Sequence, residues 1–434
     1  MNASCTPLPV RILRAAAFLA AVIAVPAARA QLTIDITTSA GRQVPIAVMP
    51  MAGENAQPQS VSEVVSADLA RTGLFRLVNT SGVSPLPTEP SEVNFGDWTQ
   101  RNAEALVIGK IEPSAEGRVE VRFRLFDVAK QSQLASYSYV VPPAQLRATA
   151  HRIADVIYER LTGDKGVFST KITYVVKRGR RYELQVADAD GFNAQSVLAS
   201  NEPIMSPSWS PDGSRLAYVS FDQKKPIVVV QNLAQGTTRV IANYRGNNSA
   251  PAWSPDSRYL AVALSKDGLT QVYRVPAAGG DAERLTESAG IDTQPNYSPD
   301  GQTIAFTSDR GGSPQIYRMP ASGGPATRLT FEGTYNVGPR YSPDGKSIAF
   351  VQRDGGRYRI ASMELATGQV TVLTDGTLDD SPTYAPNGKM ILYEAQVAGR
   401  GQLAAVSGDG RVRQRLTSAA GDVQDPAWGP MPTN

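Results

Sequence analysis

Apolar and polar residues change their rhythm along this chain, and the change divides it. Leu32-Thr33-Ile34-Asp35-Ile36 alternates with period two, and Ile46-Ala47-Val48-Met49 is a short apolar run, so both predict strands. Ser62 to Arg71 has helical spacing and is stopped by Gly73, after which Leu74–Val78 returns to strand. Further strands are predicted at Ala105–Ile111, Arg118–Val128 and Leu134–Val141. A last helix after Pro142-Pro143 carries Ile153, Val156, Ile157 and Leu161, with Gly163 as its stop. Residues 31–166 thus read as a small α/β domain.

From about residue 167 to 434 the rhythm is repetition. Pro207-Ser-Trp209-Ser-Pro-Asp-Gly213 returns as Pro251-Ala-Trp253-Ser-Pro-Asp-Ser257 and Pro295-Asn-Tyr297-Ser-Pro-Asp-Gly301. It returns again as Pro339-Arg-Tyr341-Ser-Pro-Asp-Gly345 and Pro382-Thr-Tyr384-Ala-Pro-Asn-Gly388, and in part as Pro426-Ala-Trp428. The aromatic positions are 44, 44, 44, 43 and 44 residues apart. A period of 40–50 with several short strands per unit is that of a β-propeller blade, which cannot bury its own faces and needs neighbours. Ser-Pro-Asp-Gly suits a tight turn: proline presets φ, and glycine accepts φ > 0. Seven residues beyond each aromatic stands Leu216, Leu260, Ile304, Ile348 or Ile391, opening the next strand. Residues 171–199 supply three strands with no leading aromatic, and Pro426-Ala-Trp428 supplies one strand with nothing after it. Together they make a sixth blade, so the fold class is an α/β N-terminal domain followed by an all-β six-bladed propeller closed by its C-terminal strand.

Composition narrows the chemistry. The chain has 434 residues, 43 Lys+Arg, 40 Asp+Glu, one cysteine (Cys5) and one histidine (His151). One of each cannot build a Cys/His zinc site or a disulfide framework. Residues 1–30 place Arg11 and Arg14 before an apolar run and end in Ala28-Arg29-Ala30, the anatomy of a cleaved secretory signal with the cut between Ala30 and Gln31. The run from residue 15 to 28 is shorter than the roughly 18–20 residues that span a bilayer. Cleavage removes three arginines and no acid, leaving 40 residues of each sign and no thiol. A neutral chain has no nucleic-acid footprint.

Enzyme motifs are scarce. No Gly-x-Ser-x-Gly elbow occurs, and a Ser-His-Asp triad would have to use His151, which reads as a surface or capping residue. The repeated aspartates read as turn formers. If the Ser-Pro-Asp-Gly turns mark one end of the ring, the loops before each inner strand lie at the other, around the channel mouth. They hold Asn247, Asn248, Ser249 and Ala250, then Asp292, Thr293 and Gln294, then Tyr335 and Asn336. Leu378, Asp379 and Asp380 follow, and finally Gln424 beside Asp425. Loops on a rigid scaffold commonly carry binding function, so this ring is the candidate docking surface. Asp292, Asp379, Asp380 and Asp425 are also candidates for a hard cation such as Ca²⁺. A propeller enzyme, such as a metal-dependent lactone hydrolase, and a peptidase accessory propeller are the alternatives to a binding scaffold.

Two stretches carry a resemblance. Tyr182-Glu-Leu-Gln-Val-Ala-Asp-Ala-Asp-Gly-Phe-Asn193 followed by Glu202–Gly213, with Asp155–Gly163 and Gly96-Asp-Trp98, resembles the TolB family, periplasmic propellers of the Tol–Pal system. The resemblance covers signal, α/β domain and six blades in order. It implies a monomeric periplasmic adaptor without catalytic residues or a cofactor, reaching membranes only through its partners. The channel-mouth residues above would bind the peptidoglycan-associated lipoprotein Pal, and colicin-type bacteriocins would exploit the same face. The mature N-terminal segment (Gln31, Leu32, Thr33, Ile34, Asp35, Ile36) would engage TolA. The implied role is outer-membrane integrity and envelope constriction during cell division. By pattern alone that segment is equally an edge strand added to another sheet or an ordinary first strand of the small domain.

Overall fold

The structure is a computed structural model that describes residues 42–416 and 421–432, together with the backbone of residues 33–36. The N-terminal domain holds a five-stranded mixed sheet in the order β3 (Phe75–Leu77), β2 (Val44–Val48), β4 (Ala105–Pro113), β5 (Val119–Asp127), β6 (Ser132–Val141). Strands β2, β3 and β4 run parallel, and β4, β5 and β6 antiparallel. Helices α1 (Val61–Arg71) and α3 (Leu146–Thr162) pack on one face, where Val65, Leu69, Ile153 and Ile157 share a core with Val107 and Phe123. Ser60 caps α1 by accepting the Glu63 backbone N–H, and Gly163 ends α3 with φ 81°. A short helix, α2 (Phe95–Gln100), was not foreseen; it puts Trp98 against Leu106 and Phe126 and closes the sheet's second face.

Six four-stranded antiparallel blades make the propeller, with inner strands Ile204–Trp209, Asn248–Trp253, Asp292–Tyr297, Asn336–Tyr341, Asp379–Tyr384 and Asp422–Trp428, here blades I to VI. Blade VI closes as expected: Asp422–Trp428 pairs with Lys171–Arg178, which continues into Arg181–Asp188 and Gln195–Ser200. Leu216, Leu260, Ile304, Ile348 and Ile391 are all fully buried. The repeat aromatics fill the seams between blades, where Trp253 packs with Val228 and Val230 of blade I and donates its indole N–H to the Ser208 carbonyl at 3.1 Å. The aspartates are turn formers: Asp300 accepts from the Ser298 hydroxyl at 2.5 Å and the Gln302 backbone N–H at 3.0 Å, and these bonds lower its carboxyl below the usual range. In blades II and III the outer strand shrinks to a two-residue ladder, Glu283–Arg284 and Thr327–Arg328. There Thr286 and Thr330 take the next backbone N–H with their hydroxyls, at 2.9 and 3.0 Å.

Strand β1 (Thr33–Ile36) belongs to neither its own domain's sheet nor a sheet of its own. It adds a fifth strand to the outer edge of blade V, antiparallel, with Thr33 opposite Arg415 and Ile36 opposite Val412. The reading as an ordinary first strand of the small domain is therefore corrected. Gln31, Leu32 and the Ala30–Gln31 cleavage position lie outside the described residues. Among the described residues, no helix is long and apolar enough to cross a membrane.

Candidate functional site at the channel mouth

Each inner strand is broken by a bulge at the same place, where its residue takes a left-handed conformation: Ser206, Ala250, Gln294, Gly338, Ser381 and Asp425, φ 49° to 66°. Five of the six are not glycine, so the ring stores conformational strain at equivalent points. All six line the central channel, a cavity of about 350 Å³. The bulge residues also stitch blades together. Asp425 accepts from the Ser206 backbone N–H (3.0 Å) and the Ser381 hydroxyl (3.1 Å), and Gln294 Oε1 accepts from the Gly338 N–H (3.1 Å).

Bulging decides which of the expected residues meet the channel. Ala250, Gln294 and Asp380 do, and Asp425 joins them. Asn248, Asp292, Asn336 and Asp379 are instead enclosed by their own blades, at 0–3 % exposure. Asn248 binds the backbone of Tyr244 and Gly246, Asn336 binds Gln315 and the Glu332 carbonyl, and Asp292 accepts from Arg310 at 2.7 Å and Ser288 at 3.1 Å. These side chains shape the mouth loops rather than face a partner. Asn247 donates to Ser249 (2.8 Å), Gln424 donates to Asp422 (3.0 Å), and Tyr335 stands edge-on to Tyr358; Thr293 is half-buried. Leu378 is exposed at the rim, where Leu269, Ile291 and Phe331 join it, each 44–73 % exposed.

Two charged residues in or behind the channel wall were missed. Glu394 lies on the second strand of blade V, directly across the ladder from Asp380, and accepts the Asp425 backbone N–H at 3.3 Å. Burial, then the charge of Asp425, pushes its carboxyl up to about 8. Burial likewise raises Asp380, which lines the channel, and the charge of Asp425 adds to it. Arg340, which itself lines the channel, is the second; burial lowers its guanidinium while Asp425 and Asp380 oppose that. An acid inside an otherwise apolar strand was the available signal for Glu394.

The cation idea does not survive in its first form. Asp292 and Asp379 turn away from the channel, and Arg340 already shares it with the other two acids. Among the described residues, the group of acid and histidine ligand atoms that lies within 4.8 Å is Asp68, His151 and Asp190, far from the mouth. His151 is 1 % exposed, which corrects the reading of a surface histidine, and its Nδ1 lies 2.6 Å from Asp68 Oδ2.

The N-terminal domain meets the opposite, turn end of the ring, where Asn387 donates to the Lys165 carbonyl at 2.8 Å. Residues 158–432 match the TolB beta propeller domain family and residues 32–134 the TolB amino-terminal domain family. The "Tol-Pal system protein TolB" of Methylobacillus flagellatus is 61 % identical over 412 residues, 94 % of this chain and 95 % of that one. The protein of the same name from Aromatoleum aromaticum is 65 % identical over 404 residues, 93 % and 94 % of the two chains. The crystal structure of TolB from Acinetobacter baumannii superposes with a TM-score of 0.84 at 38 % identity, covering 92 % of this chain and all of that one. Matched in both domains and along nearly its whole length, this chain belongs to the TolB family.

Proposed function

We propose that this chain is a periplasmic scaffold of the Tol–Pal system that works by binding proteins and catalyses nothing. Its channel mouth takes the lipoprotein Pal, and its N-terminal segment takes TolA, so that the pair of contacts links the inner-membrane complex to the outer membrane. Outer-membrane integrity and constriction during division follow from that link, and colicin-type bacteriocins would compete for the same mouth.

The observation that carries this reading is the mouth itself. Exposed Leu269, Ile291, Phe331 and Leu378 surround a channel lined by Asp380, Asp425 and Arg340 on a rigid ring, the pattern of apolar contact around a polar recognition centre. Blade V supports the second half, since one sheet carries Asp380 on its inner strand and β1 on its outer edge. Against an enzyme stands the placement of His151, which is walled in between the domains and out of reach of any substrate in the channel.

Titration calorimetry of the mature protein with the periplasmic domain of its cognate Pal tests the proposal. Binding is expected, and Asp380→Lys or Ala250→Arg should weaken it by on the order of a hundredfold, since each buries a clash or an unpaired charge. Absence of binding heat in the parent, or undiminished affinity in both variants, sinks it.

A further inference from the structure

The densest buried charge among the described residues lies between the domains. Asp68 and Arg71 come from α1, Arg147 and His151 from α3, and Asp190 from the turn after the blade VI strand Arg181–Asp188. Asp68 and His151 are at most 1 % exposed and Arg71 7 %. Arg71 Nη2 lies 2.6 Å from Asp68 Oδ1 and its Nη1 3.8 Å from Asp190 Oδ2. His151 is held between the two acids, Nδ1 at 2.6 Å from Asp68 and Nε2 at 3.8 Å from Asp190. Arg147 pairs with the same Asp190 oxygen and rests 3.8 Å from the ring centre of Phe192. Burial alone would raise the Asp190 carboxyl, but the charges of Arg71, His151 and Arg147 outweigh it and hold it below the usual range.

The spacing of Asp68, His151 and Asp190 has the look of a metal site. Two guanidinium groups already occupy those carboxylates, and a divalent ion would sit against both. Ion pairing between the domains is what this charge balance serves.

Beside the cluster the domains touch where Gln414 donates to the Arg71 carbonyl and Gly73 meets Val412, but the apolar contact there is broken by a void. A cavity of about 440 Å³ separates Leu74, Tyr158 and Phe168 on one side from Met390, Leu416 and Trp428 on the other. The flanking pair Lys389–Asp164 (2.9 Å) is solvent-exposed and contributes little. With apolar packing interrupted by a void, the polar contacts carry a large share of the orientation.

We propose that Asp190 is the catch of an electrostatic latch, on which Arg71, Arg147 and His151 of the N-terminal domain close, and that this contact sets the orientation of the two domains. Removing the catch leaves Arg71 and His151 without their propeller partner and Arg147 with only its 3.9 Å contact to Asp188, whereas parting the domains returns these groups to water. The latched state is thus favoured only while the carboxylate is in place.

The linker at residues 163–170 supplies the readout, because its Lys165 is a tryptic site whose carbonyl is bound to Asn387 when the domains are together. His151 supplies another, being the only histidine of the chain. The untagged mature protein is compared with Asp190→Asn and with Arg147→Met, which keeps an aliphatic stem over Phe192. Both variants are expected to be cut after Lys165 on the order of tenfold faster, because proteolysis tracks the open population. The His151 imidazole resonance should move and the radius of gyration in solution scattering should grow, while propeller melting stays at the parent value. Cutting within about twofold of the parent with an unmoved His151 resonance overturns the latch. Faster cutting together with a lowered propeller melting temperature overturns it too, since the chain would then be unfolding rather than unlatching.

Discussion

The indole N–H of Trp428 donates to the Thr170 hydroxyl at 2.8 Å, tying the last strand of the propeller to the residue that precedes its first. The ring is closed by this contact and by the ladder from Asp422 to Trp428 against Lys177 to Ile172. Trp428→Phe should cost about 1 kcal/mol, the worth of one hydrogen bond. Trp428→Ala should cost about 3 kcal/mol, since the ring also packs against the blade V–VI core. Chemical denaturation reads both; equal losses for the two variants would show that the ring's packing adds nothing.

Glu394 makes the propeller's stability fall as pH rises. Its carboxyl is lifted from 4.5 to about 8, so the folded chain keeps a proton that the unfolded chain has already lost. A folded value above the unfolded one means full stability below about pH 4.5 and progressive loss up to about pH 8. The swing is at most about 5 kcal/mol by the linkage constant. Glu394→Gln should therefore raise the melting temperature at pH 8 and leave it nearly unchanged at pH 5. A variant that melts below the parent at pH 8 contradicts this account.

Blades V and VI approach each other tightly at Gly401. A Cβ there would lie 2.1 Å from the Val423 carbonyl oxygen, which is backbone and cannot swing aside. Its N–H also donates to Asp422 at 2.6 Å. Gly401→Ala should destabilise by about 2–3 kcal/mol through overpacking. Denaturant midpoints check it, with Gly399→Ala as the control for positive φ alone, since nothing lies within 4 Å of that position.

Because β1 and Asp380 share blade V, deleting residues 31–42 should change Pal affinity measurably, by about fivefold if the coupling is near 1 kcal/mol. Calorimetric titration with and without the segment decides. Identical affinities would mean that the two ends of the blade act independently.

Much of the architecture was legible because it repeats. A 44-residue period, an apolar residue seven places beyond each aromatic and an unmatched half-repeat at each end fix six blades and their closure, all of which are local patterns. The inward-facing side chains of the mouth were not legible. A bulge inserts one residue and reverses the alternation beyond it, so Asn248 and Asp292 turn inward to their loops while Ala250 and Gln294 reach the channel. Glu394 escaped for a related reason: it reaches the site from a second strand, and its shifted carboxyl depends on how neighbouring blades strip it of water.

By itself, then, the sequence determined the two-domain order, the ring size and the turn chemistry, since each rests on residues close together in the chain. The tertiary structure alone decided that His151 is a buried partner of Asp68 and Asp190, and that Thr33–Ile36 pairs with blade V. Those pairings join groups separated in the chain by 83 residues for His151 and Asp68, and by nearly the whole chain for Thr33 and Arg415. No local pattern records such a pairing, because its free energy comes from desolvation and packing that exist only once distant segments of the chain have come together.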